Sequence, residues 1–175
     1  IEFMLRMPAD FRDVELPTED VDFTDPTKFA PLFVGMASYG AVLMSVTARP
    51  AFDDGTLREW IGFLCVSDGL TVVTIEPSSL GDRPTMAAEA TQESDAGLMR
   101  IRTHLFEDGG RLINVSIIAP DAIWPSVVET LTAMLNSFEL LRPRGGTTAF
   151  EPAEILAARA EAEAVAAAAA AAQAE

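Results

Sequence analysis

Apolar and polar positions alternate with a period of two through 98–106, where Met99, Ile101, Thr103 and Leu105 oppose Arg100, Arg102 and His104. Period-two patterning predicts a half-buried strand with one polar face. The "EDGG" that follows (107–110) is a hairpin turn, because glycine readily supplies the positive φ such turns need. "RLINVSIIA" (111–119) is then its partner strand. Upstream, "TVVTIE" (71–76) is β-branched and strand-like, "SSLGDRP" (78–84) reads as a turn, "TMAAEATQE" (85–93) as a weaker strand, and "SDAG" (94–97) as another turn.

Two segments switch to helical spacing. In 56–69, Leu57, Trp60, Ile61 and Leu64 share one face. Thr56 and Glu59 have the spacing of a reciprocal capping box, and Gly69 suits a left-handed end. In 120–138, Val127, Val128, Leu131, Met134, Leu135 and Phe138 form an apolar face. Asp121 is placed to cap this helix, and Pro125 suits its first turn. The first 40 residues read as short extended pieces interrupted by Pro8 and Pro17, with an acidic turn-rich stretch at 18–29, a strand at "PLFVGM" and a turn at "YG". "AVLMSVTA" (41–48) is a buried strand, and 49–55 is a connection.

Short strands, a strand, a helix, an antiparallel meander and a second helix define an α+β fold: an antiparallel sheet with packed helices. Pro143, Gly145 and Gly146 mark a linker over 143–149. Residues 150–175 form an alanine-rich C-terminal helix on propensity, with Pro152 in the first turn and Glu151 and Glu154 near its positive end. The domain is therefore expected at 4–142. Residues 1–3 precede Met4 and read as a cloning remnant, or as the start of a trimmed mature chain.

The net charge of −15 is spread along the chain: −5 over 1–30, −7 over 31–143 and −3 over 144–175. An acidic surface repels phosphate backbones and anionic lipid, which argues against nucleic-acid and membrane-surface binding. No apolar stretch approaches the ~20 residues of a membrane span. No basic segment followed by an apolar run opens the chain, so a cytoplasmic location is expected.

The stretches "VLMSVTARP", "TLREWIGFL", "GLTVVTIEPSSLGDRPTMAAEAT", "EDGGRLINVSIIAP" and the closing "LNSFEL" resemble the PsbP/Mog/DcrB superfamily in order and texture, over roughly 4–142. That resemblance implies an α/β/α-type sandwich around an antiparallel sheet. It also implies a mostly non-enzymatic repertoire: photosystem extrinsic subunits, a Ran-binding import factor, bacterial lipoproteins and chaperones for secretion effectors. The lipid-accepting cysteine of the lipoproteins is missing here, and the alanine-rich tail departs from many members. The resemblance carries over no functional residue.

Catalytic machinery is sparse. His104 is the one histidine, beside Arg100 and Arg102, whose charges would disfavour its protonation. It reads as a structural or solvated histidine. Cys65, the one cysteine, follows Phe63 and Leu64 and reads as a small apolar residue rather than a reactive thiol. The acids of "DFTDPT" and "FDDG" lack the ligand spacing of a calcium loop. Trp60 reads as core. Trp124 stands before Pro125 as a packing residue or an exposed contact. No cofactor is expected. The candidate interaction residues are Trp124 and, in the tail, Phe150, Ile155, Leu156 and Val165. The expectation is a non-catalytic protein-interaction module, adaptor- or chaperone-like. Its partner is another protein, offering an apolar helical segment, or a second copy of the chain. The alternative is a small-ligand binding protein using a cavity between sheet and helices.

Overall fold

A computed structural model describes residues 1–14, 30–37, 41–51, 55–95 and 97–141. The acidic stretch at 18–29, the turn at 39–40, Asp53 and Asp54, the linker and the alanine-rich tail lie outside the described residues. So do Phe150, Ile155, Leu156 and Val165.

The element order is β1 (Phe3–Met4), β2 (Arg12–Asp13), β3 (Ala30–Ala37), β4 (Val42–Pro50), α1 (Leu57–Ser67), β5 (Thr71–Leu80), β6 (Arg83–Ser94), β7 (Gly97–Glu107), β8 (Arg111–Pro120), α2 (Trp124–Asn136) and β9 (Glu139–Leu140). Seven strands form one antiparallel sheet in the order β2-β3-β4-β8-β7-β6-β5, and β1 pairs with β9 in a separate two-stranded ribbon. The helices cover opposite faces. Leu57, Ile61, Leu64 and Cys65 of α1 pack on Met86, Ala88, Leu105 and Leu112. Trp124, Leu131, Met134 and Leu135 of α2 pack on Phe106, Ile113, Val115 and Ile117. Alternation sends neighbouring residues to the two cores, Leu105 and Leu112 to the α1 side and Phe106 and Ile113 to the α2 side. This is the α+β sandwich expected from the element order.

Local chemistry accounts for the ends. The Thr56 amide donates to Glu59 Oε2 at 2.8 Å, and the Glu59 amide donates to Thr56 Oγ1 at 3.2 Å, closing the capping box at α1. The Thr56 amide and hydroxyl, both donating to Glu59 Oε2, hold the Glu59 carboxyl below its ordinary pKa. Gly109 and Gly110, at φ +58° and +75°, make the β7–β8 turn between the paired backbones of Asp108 and Arg111.

Two expectations are corrected. The segment 78–84 is mostly strand: only Gly81 and Asp82 turn, with Gly81 at φ +55°. Pro77 is tolerated because β5 is an edge strand, and Pro84 because β6 meets β7 only from Met86 onward. Asp121 does not cap α2. The N-cap is Ile123, without a side-chain bond, and the Asp121 carboxylate instead accepts from Arg100 Nε at 2.9 Å and pairs with its Nη2 at 2.7 Å. Pro125 does fall in the first turn. Of the two readings open for His104, structural or solvated, the structure takes the structural one: the ring is buried beside Thr85.

Candidate functional site

His104 is 5% exposed, with Nδ1 3.0 Å from the fully buried Thr85 Oγ1. Burial, and secondarily the Arg102 charge, lower its pKa from 6.5 to about 4, so the ring is neutral near pH 7. It borders a cleft of about 140 Å³ between α2 and strands β5–β7, with Thr74, Glu76, Ser78, Arg102, Thr132 and Asn136 in the lining. Arg102 is tied to Glu89 in a close ion pair and donates to Thr132 Oγ1 at 3.3 Å. The cleft therefore has a polar wall whose cation is already engaged. It is smaller than the ~300–1,000 Å³ usual for a small-molecule site.

Cys65 is buried, and its thiol pKa is raised by that burial and then by Asp68. A raised thiol pKa leaves little thiolate for nucleophilic chemistry. Among the described residues, no group of three or more His, Cys, Asp or Glu side chains is gathered to hold a metal. Trp124 takes the packing role of the two open to it. It is 5% exposed in the α2 core, with the Arg100 guanidinium 5.9 Å from its ring centre.

A second, larger recess lies at one end of the sheet and has a volume of about 1460 Å³. Four pieces distant in sequence build it: residues 3–6, the β5–β6 turn at 80–84, Phe106 and Glu107 at the end of β7, and the end of α2 with β9. Leu57 and Ala133 complete the lining. Phe138 anchors the arrangement. It stacks on Phe3 at 5.4 Å and meets Phe106 edge-on at 5.9 Å. Arg83 lies over Phe106 at 5.1 Å and reaches Asp108 at 3.4 Å, which fixes the turn side of the groove. The opposite side is held by the pairing of Phe3 with Leu140, by the Leu141 amide donating to the Glu2 carbonyl at 2.9 Å, and by the Arg6 amide donating to Ser137 Oγ at 2.8 Å. Phe3 is thus part of the packed structure.

Met4, within the lining, is 51% exposed, and Leu141, which follows the lining residue Leu140, is 45% exposed. The sequence offered no signal for this groove beyond the apolar residues of "IEFMLRM" and "FELL". No alternation or spacing joins its two termini to a turn near residue 81. Of the five residues predicted for interaction, Trp124 is in the core, and Phe150, Ile155, Leu156 and Val165 lie outside the described residues. No helix among the described residues is long and apolar enough to cross a membrane.

No protein-family model and no curated protein matches this chain. Solved structures do. Cyanobacterial PsbP (CyanoP) from Synechocystis sp. PCC 6803 matches with a TM-score of 0.56 and 12% identity, over 79% of this chain and 86% of that one. The protein PA94 from Pseudomonas aeruginosa matches with a TM-score of 0.51 and 11% identity, over 81% of this chain and 98% of that one. At these identities the likeness is one of fold. The chain has a PsbP-like fold, as the resemblance in its sequence implied.

Proposed function

We propose that this chain is a non-catalytic interaction module that receives an apolar helical segment of a protein partner in the groove between the β1–β9 ribbon and the β5–β6 turn. The observation that carries this reading is the groove's size together with its lining. At about 1460 Å³ it exceeds the usual range for a small-molecule site, and Phe3, Met4, Leu5 and Leu140 give it apolar surface among polar groups, over a floor of buried Leu80 and Phe138. A helix about 10 Å across and rising 1.5 Å per residue would fill that volume with roughly a dozen residues. Aliphatic side chains on one helical face, entering a groove, are an established recognition mode. Charged groups at the mouth, Arg6, Asp82 and Glu139 among them, would orient the segment rather than supply most of its affinity.

Within this class the sharpest version is a chaperone or adaptor that shields an apolar helix of a secreted or assembling protein. The net charge of −15 supports a protein partner over nucleic acid or anionic lipid. The histidine cleft gives weaker support to a ligand-binding role, because its volume is small and Arg102 is already paired.

The test is fluorescence anisotropy with a labelled leucine–alanine helical peptide, titrated against the full chain and against Met4→Glu and Leu141→Glu variants. Saturable binding, weakened at least tenfold in both variants while their unfolding midpoints stay in place, is the expected result. Equal binding by all three proteins, or none by any, would sink the proposal.

A further inference from the structure

The described chain ends on the wall of its own groove. Phe138, Glu139 and Leu140 line it, and the Leu141 amide is fixed to the Glu2 carbonyl at its edge. Thirty-four residues, 142–175, follow from that point. The first eight include Pro143 and the pair Gly145–Gly146, a composition that allows the chain to reverse. At ~3.3–3.6 Å per extended residue, eight residues reach up to about 28 Å, so the segment beyond them can return to the groove it leaves.

That segment has the chemistry of the occupant the groove suits. Residues 150–175 favour helix on propensity, and 166–172 are all alanine. At 100° per residue, Ile155 and Val165 lie about 80° apart and share one face of such a helix. Small side chains let a helix approach closely, and the groove presents Gly81 and Ala133 in its lining.

We infer that residues 150–175 are the resident occupant of the groove: the chain's own tail docks there and competes with outside partners. The inference rests on the reading that the groove receives an apolar helix. Tethering makes the competition effective, since a segment joined to its site by a short linker acts at about millimolar effective concentration. A tail of intrinsic Kd on the order of 0.1 mM would then fill the groove about nine-tenths of the time and weaken a competing peptide about tenfold.

Two other surfaces fit a tail less well. Phe63, Val66 and Val73 are exposed on α1 and β5, but the described chain does not end beside them. The free edge of β5 is interrupted by Pro77 and by a register shift between Val72 and Thr74, features that discourage strand addition.

The test uses the full chain. A nitroxide is attached at Ala164→Cys under native conditions, where buried Cys65 is protected, and amide relaxation is read by NMR. Strong broadening at Met4, Gly81 and Leu140 is expected. It should persist when the spin-labelled chain is diluted with unlabelled chain, and vanish in an Ile155→Glu/Val165→Glu background. No broadening, broadening centred on Val66 and Val73, or broadening only between molecules would overturn the inference. The leucine–alanine peptide separates the two failures. Tenfold tighter peptide binding by the Ile155→Glu/Val165→Glu chain supports tail competition. Equal binding by both chains rejects the tail but keeps the groove, and binding by neither rejects both.

Discussion

Charging His104 should destabilise this fold across a defined pH window. The ring is buried against Thr85 and faces the Arg102 guanidinium, with Glu76 and Glu89 elsewhere in the same cleft lining. Its pKa of about 4, against 6.5 for a free histidine, means the unfolded chain binds a proton that the folded chain refuses between those two values. Where the unfolded state binds more protons, stability rises with pH. The contribution of His104 is therefore fully present above pH 6.5 and is lost as pH falls toward 4. At about 1.36 kcal/mol per pH unit, the loss amounts to roughly 3 kcal/mol by pH 4. A His104→Gln variant removes this titration while leaving the carboxylates, whose own titrations then cancel in the comparison. The assay is guanidinium unfolding of both proteins at intervals from pH 7.5 to 4. The stability advantage of the natural chain over the variant should shrink by about 3 kcal/mol across that range. Parallel curves, or an imidazole NMR titration centred near 6.5, would refute the reasoning.

Further outcomes follow from the same structure. Thr56→Ala should lower global stability by about 1 kcal/mol in denaturant unfolding, because it removes the acceptor for the Glu59 amide. Thr103→Val should cost about 1–2 kcal/mol in the same assay, since the Thr103 hydroxyl bonds Asn114 and lies 2.7 Å from Ser116 Oγ in the sheet. Phe138→Ala should cost about 3–5 kcal/mol, because the ring is 5% exposed and packs against both Phe3 and Phe106. Cys65 should react slowly with an aromatic disulfide reagent in the native state and at the rate of a free thiol once unfolded, which a thiol-release assay reads directly.

What the sequence made legible was local. The Thr56–Glu59 spacing, the glycine pair at 109–110 and the alternation in β7 each report an interaction closed within a few residues, and each is found as expected. The strand through 78–84 is not legible locally, because Pro84 and the preceding Pro77 fit a strand only where β5 is an edge and β6 runs beyond its β7 partner. Alternation also separated the two faces of β7 without saying how far α2 covers the polar one, so the burial of His104 could not be read from its own strand. The groove was least legible. Phe3, Gly81, Phe106 and Leu140 meet only through the β1–β9 ribbon and the packing of Phe138, contacts that no periodicity encodes.

Amide chemical-shift mapping of the leucine–alanine helical peptide on the full chain tests the central claim most directly. Perturbations should concentrate at Met4, Arg6, Gly81, Asp82 and Leu140, with the His104 cleft unaffected. Perturbations centred on Thr74, Ser78 and His104, or on Phe63 and Val66, would contradict it.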